Sequence, residues 1–299
     1  MRQQKRPSTA PMSRVLLTVT AVALTGCALS PEPAARTTAG EPAGIERVDP
    51  AVPGFTLPLD AFTPSPAQQR IIADASTILY RSCMSRLGIR TGGERPTPVT
   101  TEPNRDRYLL TDAAAARTRG YHQPEPDAPG RSEGESLPAE HVTAATGRGP
   151  YLLGGKEVPV GGCRGAAADA LNPAGPAPDL QFVQNLRGLT WNRSQADERV
   201  RQVFAAWSAC MKDAGHHYRT PSDANNDPRF ASAEPTRRER ATAVADVRCK
   251  ESTGLARVWA NVEAAYQREA IGEHAARLEQ VRKAVAAQVA AATRVRATG

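Results

Sequence analysis

Two short stretches constrain this chain more than anything else in it. Tyr80-Arg81-Ser82-Cys83-Met84-Ser85-Arg86-Leu87-Gly88 and Trp207-Ser208-Ala209-Cys210-Met211-Lys212-Asp213-Ala214-Gly215 share the pattern aromatic-x-x-Cys-Met-x-x-x-Gly. The aromatic and the cysteine are spaced i, i+3, which puts them on one face of a helix, and the glycine is a helix stop. Each copy is followed by a second cysteine with a basic neighbour, Cys163-Arg164 and Cys249-Lys250. Outside a reducing compartment four such cysteines imply two disulfides, with three pairings open. The repeat favours Cys83 with Cys163 and Cys210 with Cys249, so that each copy is stapled to its own follower. In the chain-entropy model, loops of this size stabilise by roughly 4 to 4.5 kcal/mol each, comparable with the net stability of a whole domain. The chain has no Cys-x-x-Cys, and exported thiols oxidise, so these cysteines are poor metal ligands and no metal or other cofactor is expected.

The fifth cysteine, Cys27, belongs to a different signal. A basic stretch from Arg2 to Arg14 precedes the apolar run Val15 to Leu24 and then Leu24-Thr25-Gly26-Cys27. A run of about ten apolar residues suits the core of an export signal and is too short for a spanning helix, which needs ~20. Leu-Thr-Gly-Cys resembles the lipobox of bacterial lipoprotein signal peptides. That resemblance implies cleavage before Cys27 and lipid on its thiol. Two or more acyl chains anchor a protein stably where one does not. No Arg-Arg pair points to the twin-arginine route. The signal also accounts for much of the charge. Arg2, Lys5, Arg6 and Arg14 precede Cys27 with no acidic residue among them, so only +3 of the formal +7 remains beyond it. With no basic block interleaved with aromatics, nucleic acid is not an expected partner.

The expected fold class is mainly α: a disulfide-stapled helical domain with a long C-terminal helix, a small β-hairpin and a disordered N-terminal tether. Four regions follow: 1–26 signal peptide, 27–66 tether, 67–278 helical domain, 279–299 weakly docked C-terminal helix. The tether is rich in Pro, Ala, Thr and Glu, a composition that cannot bury enough apolar surface to offset its ordering entropy. Ile71, Ile72, Ala75, Ile78, Leu79 and Cys83 recur at helical spacing. A short helix is expected near 111–119, with Asp112 at its start, and a flexible segment over 121–150. Tyr151 to Val160 reads as a small hairpin around Gly154-Gly155. Val200, Val203, Phe204, Trp207 and Met211 line one helix face, 218–235 reads as a loop, and Thr236 with Glu239 suggests a capping box opening a long helical stretch. Leu278, Val281, Val285, Gln288, Ala292 and Val295 are heptad-spaced, but the small side chains make a thin seam. This segment is therefore expected to form a helix that is weakly docked and available to a partner, with a plain amphipathic helix packed along the domain as the equal alternative.

Trp207 to Met211, Gly215, Tyr218, Pro221 and Ala245-Asp246-Val247-Arg248-Cys249-Lys250 together resemble a group of actinobacterial, streptomycete-like exported lipoproteins of unknown function. Gly120-Tyr121-His122 and Gly161-Gly162-Cys163-Arg164-Gly165 add to the resemblance, which covers most of 67–270. It implies an extracytoplasmic location and disulfides, and carries no catalytic residue with it.

Chemistry leaves little other trace. No metalloprotease, nucleophile-elbow, phosphate-loop or dinucleotide motif occurs. His216 and His217 follow a helix end, where a cation is favoured by the macrodipole. The leading expectation is a non-enzymatic module on the outer face of the cell membrane, held by lipid on Cys27, that binds an envelope protein or the cell wall. The alternative is a lipoprotein that binds a small molecule or metal through His122, His216 or His217 near Trp207.

Overall fold

The computed structural model describes residues 47–91, 102, 104–123 and 138–298. The signal peptide, Cys27 and the expected tether up to residue 46 lie outside them, as does 124–137 of the expected flexible segment.

Helix α1 (Pro66–Arg86) opens on a capping box in which the Ser65 hydroxyl accepts from the Gln68 amide and the Gln68 side chain accepts from the Ser65 amide. Its last turn carries Cys83, bonded to Cys163 at the start of α4 (Gly162–Leu171) with 5.5 Å between their Cα atoms. Between them lie α2 (Ala113–Thr118), capped by Asp112, then α3 (Ala139–Thr146), and the hairpin of β1 (Leu152–Leu153) and β2 (Lys156–Glu157). The hairpin register is Leu152 opposite Glu157 and Leu153 opposite Lys156. Gly154 and Gly155 both take positive φ, as a two-residue turn matching strand twist requires. Cys83, Met84, Leu87, Ala144 and Cys163 form a small core around this staple.

The second half repeats the device on other helices. α5 (Leu180–Ala196) leads to α6 (Glu198–Asp213), whose Cys210 bonds Cys249 near the end of α8 (Arg237–Thr253), with Cα atoms 5.7 Å apart. Each cysteine is therefore joined within its own half of the chain, in the pairing that the repeat favours. The short α7 (Pro221–Asn225) lies between α6 and α8, inside the stretch expected to be loop. The expected capping box is formed, with Thr236 as N-cap and Glu239 at its third position. The long helical stretch is three helices rather than one. Gly254, in the left-handed conformation, ends α8. α9 (Leu255–Glu273) ends at His274, and α10 (Ala275–Thr298) completes the chain. Trp259 of α9 is fully buried and is the hub of the main core, with its ring 5.4 Å from Tyr108, 5.5 Å from Trp191 and 5.0 Å from Phe204. Its indole N–H donates to Ser194 Oγ at 2.8 Å.

Two expectations are corrected. The tether does not reach residue 66. Residues 47–65 run over α5 and α9 as an ordered strap, with Leu57 and Leu59 buried and a 3₁₀ turn over Pro58–Phe62. Asn261 brackets Val48, its Oδ1 accepting the amide and its Nδ2 donating to the carbonyl. Gln267 Oε1 accepts the Leu59 amide at 3.0 Å. Proline-rich composition concealed a few well-spaced apolar anchors: Phe55, Leu57, Leu59 and Phe62.

The C-terminal helix is also no free arm. α10 lies along α1 and α4, with Val281, Val285, Ala291 and Ala292 buried. Val281 and Val285 meet Leu59, Val183 and Leu186. Ala292 meets Ala75 and Leu171, next to Ile71, Ile72 and Leu79. A seam of Ala and Val is thin on its own, but it lets the helices approach closely, and α1 supplies the large side chains. Deleting residues 279–299 would uncover these groups. The melting temperature is expected to fall by more than about 5 °C, equivalent to ~1–2 kcal/mol or more in a domain of this size. An unchanged midpoint in calorimetry would show that α10 contributes nothing to the core.

Candidate functional site

The polar groups that could do chemistry converge where residues 104–123 cross α8 and α9. Three carboxylates, Glu239 and Asp246 on α8 and Glu263 on α9, are completely buried. A carboxylate is buried at heavy cost unless hydrogen bonds satisfy it, and each of these is met by donors from that crossing segment. Glu263 accepts from Tyr108 Oη at 3.0 Å, from Arg107 through both Nε and Nη2, and from Gln267 Nε2 at 2.8 Å. Burial and the adjacent carboxylate push the Tyr108 hydroxyl far above its ordinary range, so it stays a donor. Arg107 also donates to the Arg187 carbonyl. Arg187 in turn pairs with Asp60 of the strap and donates to Asn104 Oδ1 at 2.9 Å.

Asp246 accepts from Trp207 Nε1 at 2.9 Å, from Tyr121 Oη at 3.3 Å and from Lys250 Nζ at 2.9 Å. Lys250, one turn along α8 and itself buried, also donates to the Leu110 carbonyl at 2.8 Å. Burial raises the Asp246 carboxyl more than Lys250, Trp207 and Tyr121 lower it. Immediately before Leu110, Leu109 has φ +65°, the single positive value among the described non-glycine residues. Such a conformation persists where its surroundings over-determine it.

Glu239 closes the set. Its Oε1 accepts the Tyr121 amide at 2.9 Å and faces His122 Nδ1 at 2.8 Å, while Oε2 takes the capping contact from the Thr236 amide. Gly120 is required here. Its φ is +60°, and a Cβ built on it would stand 2.5 Å from Glu239 Oε1.

The four residues expected to form a ligand site do not converge on a cavity. Trp207 is sealed in the core with its N–H committed to Asp246. His122 bridges Glu239 and the Ser232 carbonyl. His216 contacts Thr242 Oγ1 at 3.2 Å, and burial followed by the nearby Arg238 holds its pKa below the usual histidine value. His217 is exposed. The last two line a recess of only 160 Å³ with Tyr218, Arg229 and Arg238. Among the described residues no cluster of three or more His, Cys, Asp or Glu could hold a metal. The larger spaces flank the strap. One cleft of 590 Å³ lies between Asp49–Phe55 and the α8–α9 junction, and Lys250, Glu251 and Arg257 are on its wall. Another of 730 Å³ lies on the other side of the strap, next to Arg187 and Arg268.

Glu239 was legible in the sequence only as a cap and Asp246 only as part of a motif, and Glu263, Arg107 and Arg187 gave no sign of their role. One signal was present: Glu239, Asp246 and Lys250 are spaced by seven and four, on one helix face with Ala243 and Val247. Comparison with protein-family models, curated proteins and solved structures found no match. Asp246→Ala would leave a buried ammonium unpaired and orphan the Trp207 N–H and Tyr121 O–H. Unfolding free energy from urea denaturation is expected to drop by about 3–5 kcal/mol, whereas His217→Ala should stay within ~0.5 kcal/mol of the parent.

Proposed function

We propose that this chain is an extracytoplasmic lipoprotein, anchored to the cell membrane by lipid on Cys27, that serves as a non-enzymatic module binding an envelope protein or the cell wall. The observation that carries the reading is the conjunction of an export-type leader ending in Leu-Thr-Gly-Cys with two disulfides, Cys83–Cys163 and Cys210–Cys249. Disulfides form and persist in oxidising compartments. The stretch between Cys27 and Arg47 is about 20 residues, which reaches at most ~65–70 Å when extended, enough to carry the helical body clear of lipid headgroups. The buried ionisable groups also support a binding role over a catalytic one. Glu239, Asp246, Glu263 and Lys250 are engaged in holding the fold.

A second reading rests on the 590 Å³ cleft beside the strap. Its size is that of a small-molecule site, and its walls mix Val52, Phe55 and Val247 with Lys250 and Arg257. Ligand binding, if it occurs, belongs there rather than at the histidines. Native mass spectrometry of the chain purified from its source distinguishes the readings, since a stoichiometric bound small molecule favours the second.

Cys27→Ser is expected to abolish labelling by a palmitate analogue and to shift the protein from the membrane fraction to uncleaved precursor or medium. Unchanged membrane fractionation would overturn the anchor. Cross-linking on intact cells should capture an envelope protein or wall fragment that the Cys27→Ser form does not.

A further inference from the structure

The contacts of His122 go beyond packing. Nδ1 lies 2.8 Å from Glu239 Oε1, and Nε2 lies 2.7 Å from the Ser232 carbonyl oxygen. Both partners are acceptors. A carbonyl oxygen can only accept, and both Glu239 oxygens already act as acceptors, Oε1 for the Tyr121 amide and Oε2 for the Thr236 amide. A neutral imidazole has one N–H and can serve one of the two contacts; an imidazolium serves both. Whether the proton rests on Nδ1 or on Glu239, the arrangement holds one proton that a neutral histidine beside an ionised carboxylate lacks.

We propose that His122 is a proton-held latch: its extra proton clamps the segment 119–123 between α8 and the Ser232 turn, and loss of that proton releases this segment while the disulfide-stapled body stays folded.

Among the described residues, the charged groups around the ring are few. Glu239 faces it from α8, and Glu234 adds a weaker attraction from the stretch before that helix. Arg119, on the same segment, donates to the His122 carbonyl. The positive end of α8 opposes a cation here, and buried Glu239 offsets it at contact distance. The bond to Ser232 and then that to Glu239 raise the histidine above its ordinary value. The sign follows. A histidine whose folded value is raised contributes stability that is fully present below the unfolded value, ~6.5, and is lost as pH rises through the folded one. The latch is therefore closed on the acid side and opens toward alkaline pH.

Opening would act first on Gly120, Tyr121 and His122. Tyr121 stacks on Phe230 with centroids 5.7 Å apart, and its hydroxyl reaches Asp246. The latch is thus the outermost link of a chain that ends at the buried Asp246–Lys250 pair. Neither cystine lies on the segment, so nothing covalent resists its local release.

The test is a pH titration by NMR of the full chain, reading the His122 ring and the Tyr121 amide. The reference is the same ring in the urea-unfolded chain. The proposal expects the His122 midpoint of the folded chain to lie above it. It also expects the exchange protection of the Tyr121 amide, corrected for intrinsic rate, to fall at least tenfold as pH crosses that midpoint. In His122→Gln, an accessible position that keeps an amide donor, protection should no longer change with pH. A His122 midpoint at or below that of the unfolded chain overturns the latch. So does Tyr121 protection that is flat across the wild-type titration, or that falls equally in His122→Gln.

Discussion

Burying a carboxylate without partners costs several kcal/mol, and among the described residues this fold buries three completely. Glu239, Asp246 and Glu263 stand on the inner faces of α8 and α9, and each takes at least one donor from a segment more than a hundred residues earlier in the chain. That requirement organises the molecule. The stretch 104–123 has only one short helix of its own, α2, and would have little reason to adopt a single path. It is held because Arg107, Tyr108, Tyr121 and His122 each satisfy a buried anion. The helices, in turn, bury those anions at lower cost while the segment is in place. The pairing is reciprocal, and partial satisfaction would be worse than an apolar core.

The same polar layer extends to the strap. Arg187 links the Glu263 group to Asp60 and Asn104, and Gln267 joins Glu263 to the Leu59 amide. The strap is the chain between the expected anchor and the body. Val48, near its start, is bracketed by Asn261. Two clefts are lined in part by the strap. The disulfides act elsewhere. One closes α1 onto α4, the other α6 onto α8, and neither crosses between the halves. Long-range order therefore rests on non-covalent contacts: the Trp259 core, the carboxylate network and the docking of α10 on α1.

The sequence exposed the features that are local or periodic. The helix ends at Gly88 and Gly215, the capping box at Thr236, the Asp112 cap and the Gly154-Gly155 hairpin all depend on a few neighbouring residues, and all are present. α5 went unread because the buried face begun by Val183 and Leu186 is continued by the polar Arg187, Thr190 and Ser194. α3 is eight residues inside a polar stretch, too short to show a period. The histidines were grouped by residue type, and the structure separates them: His122 and His216 attach to successive turns of α8 through Glu239 and Thr242, while His217 faces solvent.

What the sequence by itself determined is the helical class and the local helix caps and stops, and its repeat favoured the cystine pairing that is found, because these follow from spacing along the chain. What only the tertiary structure decided is which polar residues are buried and what satisfies them. Arg107 and Glu263 are 156 positions apart, and nothing in either neighbourhood announces the other. The tether and α10 differ from expectation for a related reason. A proline-rich segment and an alanine-rich seam each look too weak to dock when weighed alone. Burial is a property of two surfaces, and the complementary surface, on α1, α5 and α9, is invisible until the chain is folded.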